Sequence, residues 1–578
     1  MPFDINRFVL NAKRQLEELR QRKNGDLEAH MHLQESVKDG IRIILEVKER
    51  SDGPGLKDRF LARLRPDFLH EITPLFRGAA DEPSRTPHFD LAKFWLLRIF
   101  DVSSFVPGGN LFDLAHELRQ QLDLHSAEPD LPYEDNEAVE IGSRSRVLTT
   151  AIADRAWSLR TMRVPEAWKY SLQNAGLTPQ GSGIVIGHPD TGYTVHDDLD
   201  AARLLISKGY DFIDNKWDPL DPLTYKGSPG HGTATGSVIM SGGGVTPAPI
   251  SGGGTTPPGE VTGVAPQAGL IPIRTAKFVA WIFSSHIAQA IHFARQCNCH
   301  VISISMGGTP LRALHAAIYD AVADGIVVVA AAGNEVRTVV YPARYPECIA
   351  LAATNYKDIP WRRSSRGKAI DVSAPGEQVW RAIKRRPTDS NTGVGPSNGT
   401  SYAAANAAGV AALWLSHHGA DGLRRAAGSS LQETFRMALR TSARVPPAWN
   451  ASKFGAGIID AHALLALPVP PTGITSPFTS DLDETASLLE PLDEEVAKAM
   501  LAQSIGVPRI QLEQTLGPWL GEIAHIFFTL NVEEDPSFQM LTTHSLSTVD
   551  IGASQLRALL ERHGSESLLG WLVARKKP

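Results

Sequence analysis

Three reactive side chains stand beside glycine in three short stretches: Asp190 in "DTG", His231 in "GHGT" and Ser401 in "NGTSYA". Glycine permits close backbone approach and unusual dihedrals next to a reactive group. A serine hydroxyl is a weak nucleophile at neutral pH and needs a base to take its proton as it attacks a carbonyl carbon. His231 is the candidate base. A buried carboxylate on the other ring nitrogen would hold the imidazole in the right tautomer and stabilise it once protonated, and Asp190 is the candidate for that role. Taken singly, the three read as a turn aspartate, a surface histidine and a helix-cap serine; catalysis requires them together.

Attack on a carbonyl also needs a donor for the oxyanion that forms. "VVVAAAGNE" puts Asn334 just after a buried strand, where its amide can join the backbone N–H of Ser401. His188 lies two residues before Asp190, a spacing that puts both side chains on one face of a strand. It lacks the "GHGT" setting, and Pro189 stiffens the link to Asp190. His188 is therefore read as a packing or hydrogen-bonding residue, and His231 as the partner of Asp190.

The elements that must position these groups follow from periodicity. From about Trp157 the chain alternates apolar runs ("GIVIG", "LLIS", "LIPIR", "HVISIS", "GIVVVAAA", "CIALAAT") with amphipathic helices such as "SSHIAQAIHFARQ" and "LRALHAAIYDAVAD". Fully apolar strands separated by such helices predict an α/β fold, a mostly parallel sheet covered on both faces. Sites in such folds sit at the carboxyl ends of strands. Ser401 leads into the alanine-rich "AAANAAGVAALWL", a buried helix whose positive N-terminus favours developing negative charge. His231 likewise precedes the helical run "TATGSVIM".

The ordered set of motifs resembles the subtilisin-like serine proteases over roughly residues 154–468. Beyond the three stretches, the resemblance rests on "HDDL" at 196–199, "VTGVAPQAGL" at 261–270, "VISISMGG" at 301–308, "GIVVVAAAGNE" at 325–335, "YPARYP" at 341–346, "SSRG" at 364–367, "VSAPG" at 372–376 and "FGAGIIDAHAL" at 454–464. It implies a serine endopeptidase that works through an acyl-enzyme and binds extended protein or peptide substrates as an added strand. By similarity, Ser305, Met306 and Gly307 line one wall of the pocket for the side chain before the cut, and Ala332 and Gly333 another. Val340 stands where the family often has glycine at the pocket floor, which implies a shallow pocket for small or medium apolar side chains. Two stretches depart from the family. Tyr402–Asn406 replaces a Met-Ala-Xaa-Pro-His run after the nucleophile, and "IGHPDTGY" replaces an aliphatic stretch before the aspartate. Asp198 matches a common calcium-ligand position, but the loop that should complete the site is poor in carboxylates, and calcium needs about six to eight oxygens. No metal or cofactor is assigned.

The remaining chain is read as two further domains. Residues 1–135 mix charged helical stretches such as "NAKRQLEELRQRK" with strand-like "IRIILEV" and "FWLLRIF", an α+β unit. It is expected to serve as a prodomain or regulatory module, since "LDLHSAEPDLPYED" resembles the end of a subtilisin-like prodomain. Residues 136–153 form a linker, 154–468 the catalytic domain, 469–482 a Pro/Ser/Thr-rich linker and 483–578 a C-terminal helical domain. A low-complexity insertion, "SGGGVTPAPISGGGTTPPGE", lies within the catalytic domain.

Composition excludes several classes. A formal charge of −6 over 578 residues gives no reason to expect nucleic acid, and no apolar run is long enough to span a bilayer. Three cysteines, Cys297, Cys299 and Cys348, are too few for a disulfide framework, and "CNCH" at 297–300 lacks a second pair to complete a zinc site. With no secretory signal at the start, a cytoplasmic protease is expected, autoinhibited by its N-terminal domain and activated by processing or partner binding. The alternative is a catalytically silent subtilisin-like scaffold acting as a binding or regulatory module. An esterase or lipase is disfavoured because Ser401 sits in "GTSYA" and not in a G-x-S-x-G elbow.

Overall fold

The computed structural model describes the chain outside residues 1–3, 23–35, 87, 104–109, 135–151, 177–179, 225–227, 243–260, 278, 280, 470–493, 534, 537–548 and 576–578. The linkers expected at 136–153 and 469–482 and the SGGG insertion fall almost wholly outside the described residues. The chain divides into two compact units. One comprises residues 1–132, 310–316 and 483–578, the other 133–309 and 317–482.

In the first unit, β1 (Ile41–Glu46), β2 (His70–Pro74), β3 (Phe94–Ile99) and β4 (Ser126–Pro129) form an antiparallel sheet in the order β2-β3-β1-β4. The central strand β1 is buried throughout. Its two charges are tolerated because each is paired: Arg42 donates to Asp130 at 2.8 Å, and Glu46 accepts from Ser126 at 2.8 Å. The helix Leu111–Leu122 begins at Asn110, whose side chain accepts from the Phe112 N–H. It buries Leu111, Leu114, Ala115, Leu118 and Leu122, one stripe at helical spacing. The C-terminal segment is helical, with Leu556, Leu559 and Leu560 buried in its core. Within this unit His116 Nε2 lies 2.7 Å from Glu522 Oε2, both side chains buried.

The second unit carries the candidate site. Its sheet is built from β6 (Val185–Asp190), β7 (Tyr210–Asp211), β8 (Gly269–Arg274), β10 (Val301–Ile304), β11 (Val327–Ala331), β12 (Ile349–Thr354) and β13 (Ile370–Pro375). The order is β13-β12-β11-β10-β6-β8-β7, with every neighbouring pair parallel. The strands are almost continuously apolar because helices cover both faces. Two short ribbons accompany the sheet. β5 (Pro132–Glu134), whose last two residues belong to this unit, pairs with β9 (Trp281–Phe283), and β14 (Val379–Ala382) runs antiparallel to β15 (Val394–Ser397).

Two helices in the sheet's cover are not amphipathic at all. Every residue of His231–Met240 is buried, and so is every residue from Thr400 to Leu415 in the helix Thr400–His418. A helix apolar on all sides belongs in a core, and these two pack on each other and on the sheet. A small residue also lets the segment before β8 pack on the second helix: a Cβ on Gly409 would sit 2.5 Å from Val264 Cβ. One expected strand is absent. "LLIS" makes only an isolated bridge at Leu204 and then a short 3-10 turn, Ile206–Lys208, so its three apolar residues pack beside the sheet without extending it.

Candidate active site

The site collects at the carboxyl ends of the parallel strands. Asp190 ends β6, Ser305 and Met306 follow β10, and Asn334 follows β11. The loop that follows Asp190 and the helix starting at His231 are drawn together by two glycines. A Cβ on Gly232 would collide with the Gly192 carbonyl oxygen, so neither motif could carry a side chain at that contact. Buried Asp221 completes the link, accepting from Thr191 Oγ1 at 2.8 Å and from the Gly230 N–H at 3.0 Å. Thr191 Oγ1 in turn accepts from the Gly232 N–H at 3.1 Å.

Asp190 is fully buried. Its Oδ1 accepts from His231 Nδ1 at 2.8 Å and from the Thr191 N–H at 2.7 Å, and its Oδ2 accepts from Thr235 Oγ1 at 3.1 Å. Burial alone pushes the carboxyl up; the charge and hydrogen bond of His231, the charge of His188 and the Thr191 N–H outweigh it and leave Asp190 below the ordinary carboxylate value. His188 is buried too, with Nε2 3.0 Å from Thr235 Oγ1 and 3.7 Å from Asp190 Oδ2. It is thus a hydrogen-bonding residue beside Asp190, while His231 holds the direct bond.

Ser401 lies in the first turn of its helix and is buried. Its hydroxyl donates to the Ser305 carbonyl at 3.0 Å, and Ser305 Oγ donates back to the Ser401 carbonyl at 3.0 Å. No hydrogen bond joins Ser401 Oγ to His231 among the described residues; such bonds are often long before substrate arrives. The Asn334 side chain is oriented through its oxygen, which accepts from Thr400 N–H at 2.8 Å and Thr400 Oγ1 at 3.0 Å. Its Nδ2 is thereby turned away from Thr400. A Cβ built on Gly399 would lie 3.8 Å from Asn334 Nδ2 and 3.7 Å from the Ser401 nitrogen, so both donors border the same space.

The six expected pocket residues fall into two groups. Ala332 and Gly333 face Val340: the Val340 N–H donates to the Ala332 carbonyl at 2.9 Å, and a Cβ on Gly333 would lie 2.9 Å from Val340 Cγ1. Val340 is almost wholly buried, so its isopropyl group fills the space beside Gly333. Ser305 contacts Ser401 as above, and Gly307 is partly exposed. Met306 turns its side chain inward, its sulfur 3.9 Å from Thr275 Oγ1.

The residues that replace the expected run after Ser401 are tied to the fold. Asn406 Nδ2 donates to the Pro375 carbonyl at 3.0 Å, and Tyr402 OH accepts from Arg381 at 3.3 Å. Thr191, Thr235 and Thr400 orient Asp190 and Asn334 without having been singled out from sequence. Only Thr235 carries a signal there, standing four residues after His231 and hence on the same helix face. Asp198 is engaged by protein donors, Ser241 Oγ at 3.4 Å and the Val261 N–H at 3.3 Å, with His196 Nδ1 3.6 Å away. Among the described residues no group of three or more His, Cys, Asp or Glu could hold a metal ion, and none of their helices is long and apolar enough to cross a membrane. The three cysteines are free thiols.

Comparison with known proteins adds relatives to this geometry. The model of the Subtilase family matches residues 181–457. M-protease from Shouchella clausii is 32% identical over 268 residues, 46% of this chain and 61% of that protein. The chain therefore spans 61% of that relative's length. Subtilisin BL from Lederbergia lenta is 32% identical over 259 residues, 44% of this chain and 82% of that protein. Among solved structures, one described as proteases from Pseudoalteromonas arctica PAMC 21717 is similar with a TM-score of 0.44 and 27% identity, covering 55% of this chain and 99% of that one.

Proposed function

This chain belongs to the subtilase family, and on that premise we propose that it is a serine endopeptidase in which Ser401 is the nucleophile, His231 the base and Asp190 its orienting carboxylate. The observation that carries the reading is the 2.8 Å bond from His231 Nδ1 to a fully buried Asp190 carboxylate. That bond places the proton on Nδ1 and leaves Nε2 as the acceptor. As Ser401 Oγ turns from the Ser305 carbonyl and attacks the peptide carbon, its proton passes to Nε2. Negative charge then arises on the former carbonyl oxygen, where Asn334 Nδ2 and the Ser401 N–H receive it. Collapse of the tetrahedral intermediate expels the amine, which takes the proton from Nε2. Water, deprotonated by the same nitrogen, then attacks the acyl carbon, and Ser401 Oγ leaves by taking that proton back from Nε2. Asp190 stays ionised throughout and stabilises the imidazolium at each protonated stage.

Residues 305–307, 332, 333 and 340 are the proposed wall and floor of the pocket for the residue before the cut. The packing of Val340 on Gly333 supports a preference for small or medium apolar side chains. The pairing of β5 with β9 supports autoinhibition. It adds a segment from the end of the 1–135 region as a strand beside β9, the mode in which an extended substrate would bind. Activation would follow a cut between about residues 130 and 155. The proposed domain bounds remain 1–135, 154–468 and 483–578.

The test is incubation of the full chain with a defined peptide mixture, reading new amino termini of the peptides and of the chain itself by mass spectrometry. Peptide cleavage, with a new chain terminus near 130–155, is expected, and both should vanish in Ser401→Ala. Cleavage that survives Ser401→Ala would remove Ser401 from the mechanism.

A further inference from the structure

His188 takes no part in the proton transfers above, yet it sits within reach of the carboxylate that directs them. It is 1% exposed, and its Nδ1 has no hydrogen-bond partner. Its Nε2 is 3.0 Å from Thr235 Oγ1. That hydroxyl has a single hydrogen and three acceptors near it: Asp190 Oδ2 at 3.1 Å, the His231 carbonyl at 3.0 Å and the Gly232 carbonyl at 3.4 Å. If His188 Nε2 were bare, it would compete for that hydrogen, and two lone pairs would then face Asp190 Oδ2. With the hydrogen on Nε2, His188 donates to Thr235 Oγ1, and the hydroxyl is free to donate to Asp190 Oδ2. An unpaired buried acceptor at Nδ1 is the cost of that tautomer. Burial holds the imidazole below its ordinary value despite the neighbouring Asp190, so the ring is neutral at neutral pH.

We propose that His188 is a positioning residue: it orients the Thr235 hydroxyl toward Asp190 Oδ2, and so fixes the carboxylate plane in which Oδ1 meets His231 Nδ1. Asp190 Oδ1 is already fixed by Thr191 and His231, so Oδ2 is the handle by which the carboxylate can still turn. The two side chains reach this contact from different elements, β6 and the helix His231–Met240. The inference rests on the roles proposed above for Asp190 and His231, and it concerns rate, because neither His188 nor Thr235 lines the substrate pocket.

The experiment compares His188→Leu, His188→Gln, Thr235→Val and the pair His188→Leu/Thr235→Val in the full chain, each normalised to folded protein by its unfolding transition. His188→Leu and Thr235→Val should each lower kcat about tenfold to a hundredfold, the scale of a misplaced catalytic group, with KM unchanged. His188→Gln, which returns an N–H near the Nε2 position, should recover most of the loss. The double variant should cost little more than either single one, because both break the same link. Should His188→Leu fail to fold, Thr235→Val and His188→Gln still decide. Additive losses, or a loss carried by KM, would overturn the proposal. A second readout does not need turnover: the low-field proton resonance of the His231–Asp190 bond, recorded in the Ser401→Ala chain. It should move in both Thr235→Val and His188→Leu. An unmoved resonance sinks the positioning role, whereas absent hydrolysis in the wild-type chain with a resonance that moves would count against the peptidase reading alone.

Discussion

The two ends of the site are built on opposite plans. At the acid end, Asp190 is sealed from solvent, and its oxygens already accept from Thr191, His231 and Thr235. At the nucleophile end, the Asn334 oxygen is pinned by Thr400 while its nitrogen, with the first-turn N–H of Ser401, stays uncommitted beside Gly399. In the proposed mechanism one end stabilises a charge that is always present, the other a charge that exists only while a bond is being broken. Donors are therefore committed at the first end and withheld at the second, which is how a site binds the transition state better than the ground state.

That contrast can be broken from either side. The largest effect is expected at the nucleophile: Ser401→Ala should lower kcat by about 10⁶, the magnitude known for subtilisin itself, measured by peptide turnover. Asp190→Asn keeps the shape of the acid end but spoils the tautomer, and a loss of ~10⁴ in kcat is expected. Asn334→Ala removes one withheld donor, with an expected fall of about 10²–10³ in kcat and little change in KM, again a figure set by subtilisin. If Asn334→Ala instead raised KM alone, the amide would be a ground-state contact, and the contrast between the ends would collapse. Val340→Gly should leave both ends intact and shift preference toward larger side chains before the cut by roughly 10–200-fold in kcat/KM, read with a paired peptide series.

The smallest expected effect lies outside the site. His418 is half-buried against Trp414, and burial, then the charge of His417, holds it down at about 4. Its folded value lies below its unfolded value, so the unfolded chain takes up the proton first as pH falls. The contribution to stability is whole above about 6.5 and drains away toward about 4. His418→Phe should flatten that part of the Tm against pH curve while leaving turnover at neutral pH as it was.

The same two ends differ in how much of them the sequence discloses. Asp190, His231, Ser401 and Asn334 are legible because each reactive group needs glycine or a strand end at a fixed offset, and that need leaves a motif. The groups that hold them leave none. Thr400 and Thr191 act through whichever backbone or hydroxyl happens to face the right oxygen, and only the fold decides which does. Strand alternation alone puts His188 on the same face as Asp190, but its partner Thr235 arrives from another element, beyond the reach of local spacing. The parallel sheet and its helices are legible from their apolar runs, since strands buried on both faces carry few polar residues. "LLIS" misleads for the same reason: a short apolar run of three residues satisfies burial equally well in a turn beside the sheet as in a strand. The ribbon β14–β15 was not expected, because its strands are four residues long and one contains proline and glycine.

The central claim is that Ser401 is an activated nucleophile. It is tested most directly by exposing the full chain, before and after any cut between residues 130 and 155, to a fluorophosphonate probe and mapping the adduct by peptide mass spectrometry. The account predicts one adduct, on Ser401, lost in Ser401→Ala and strongly slowed in His231→Ala. Labelling on another residue, or none at any pH in either form of the chain, would contradict it.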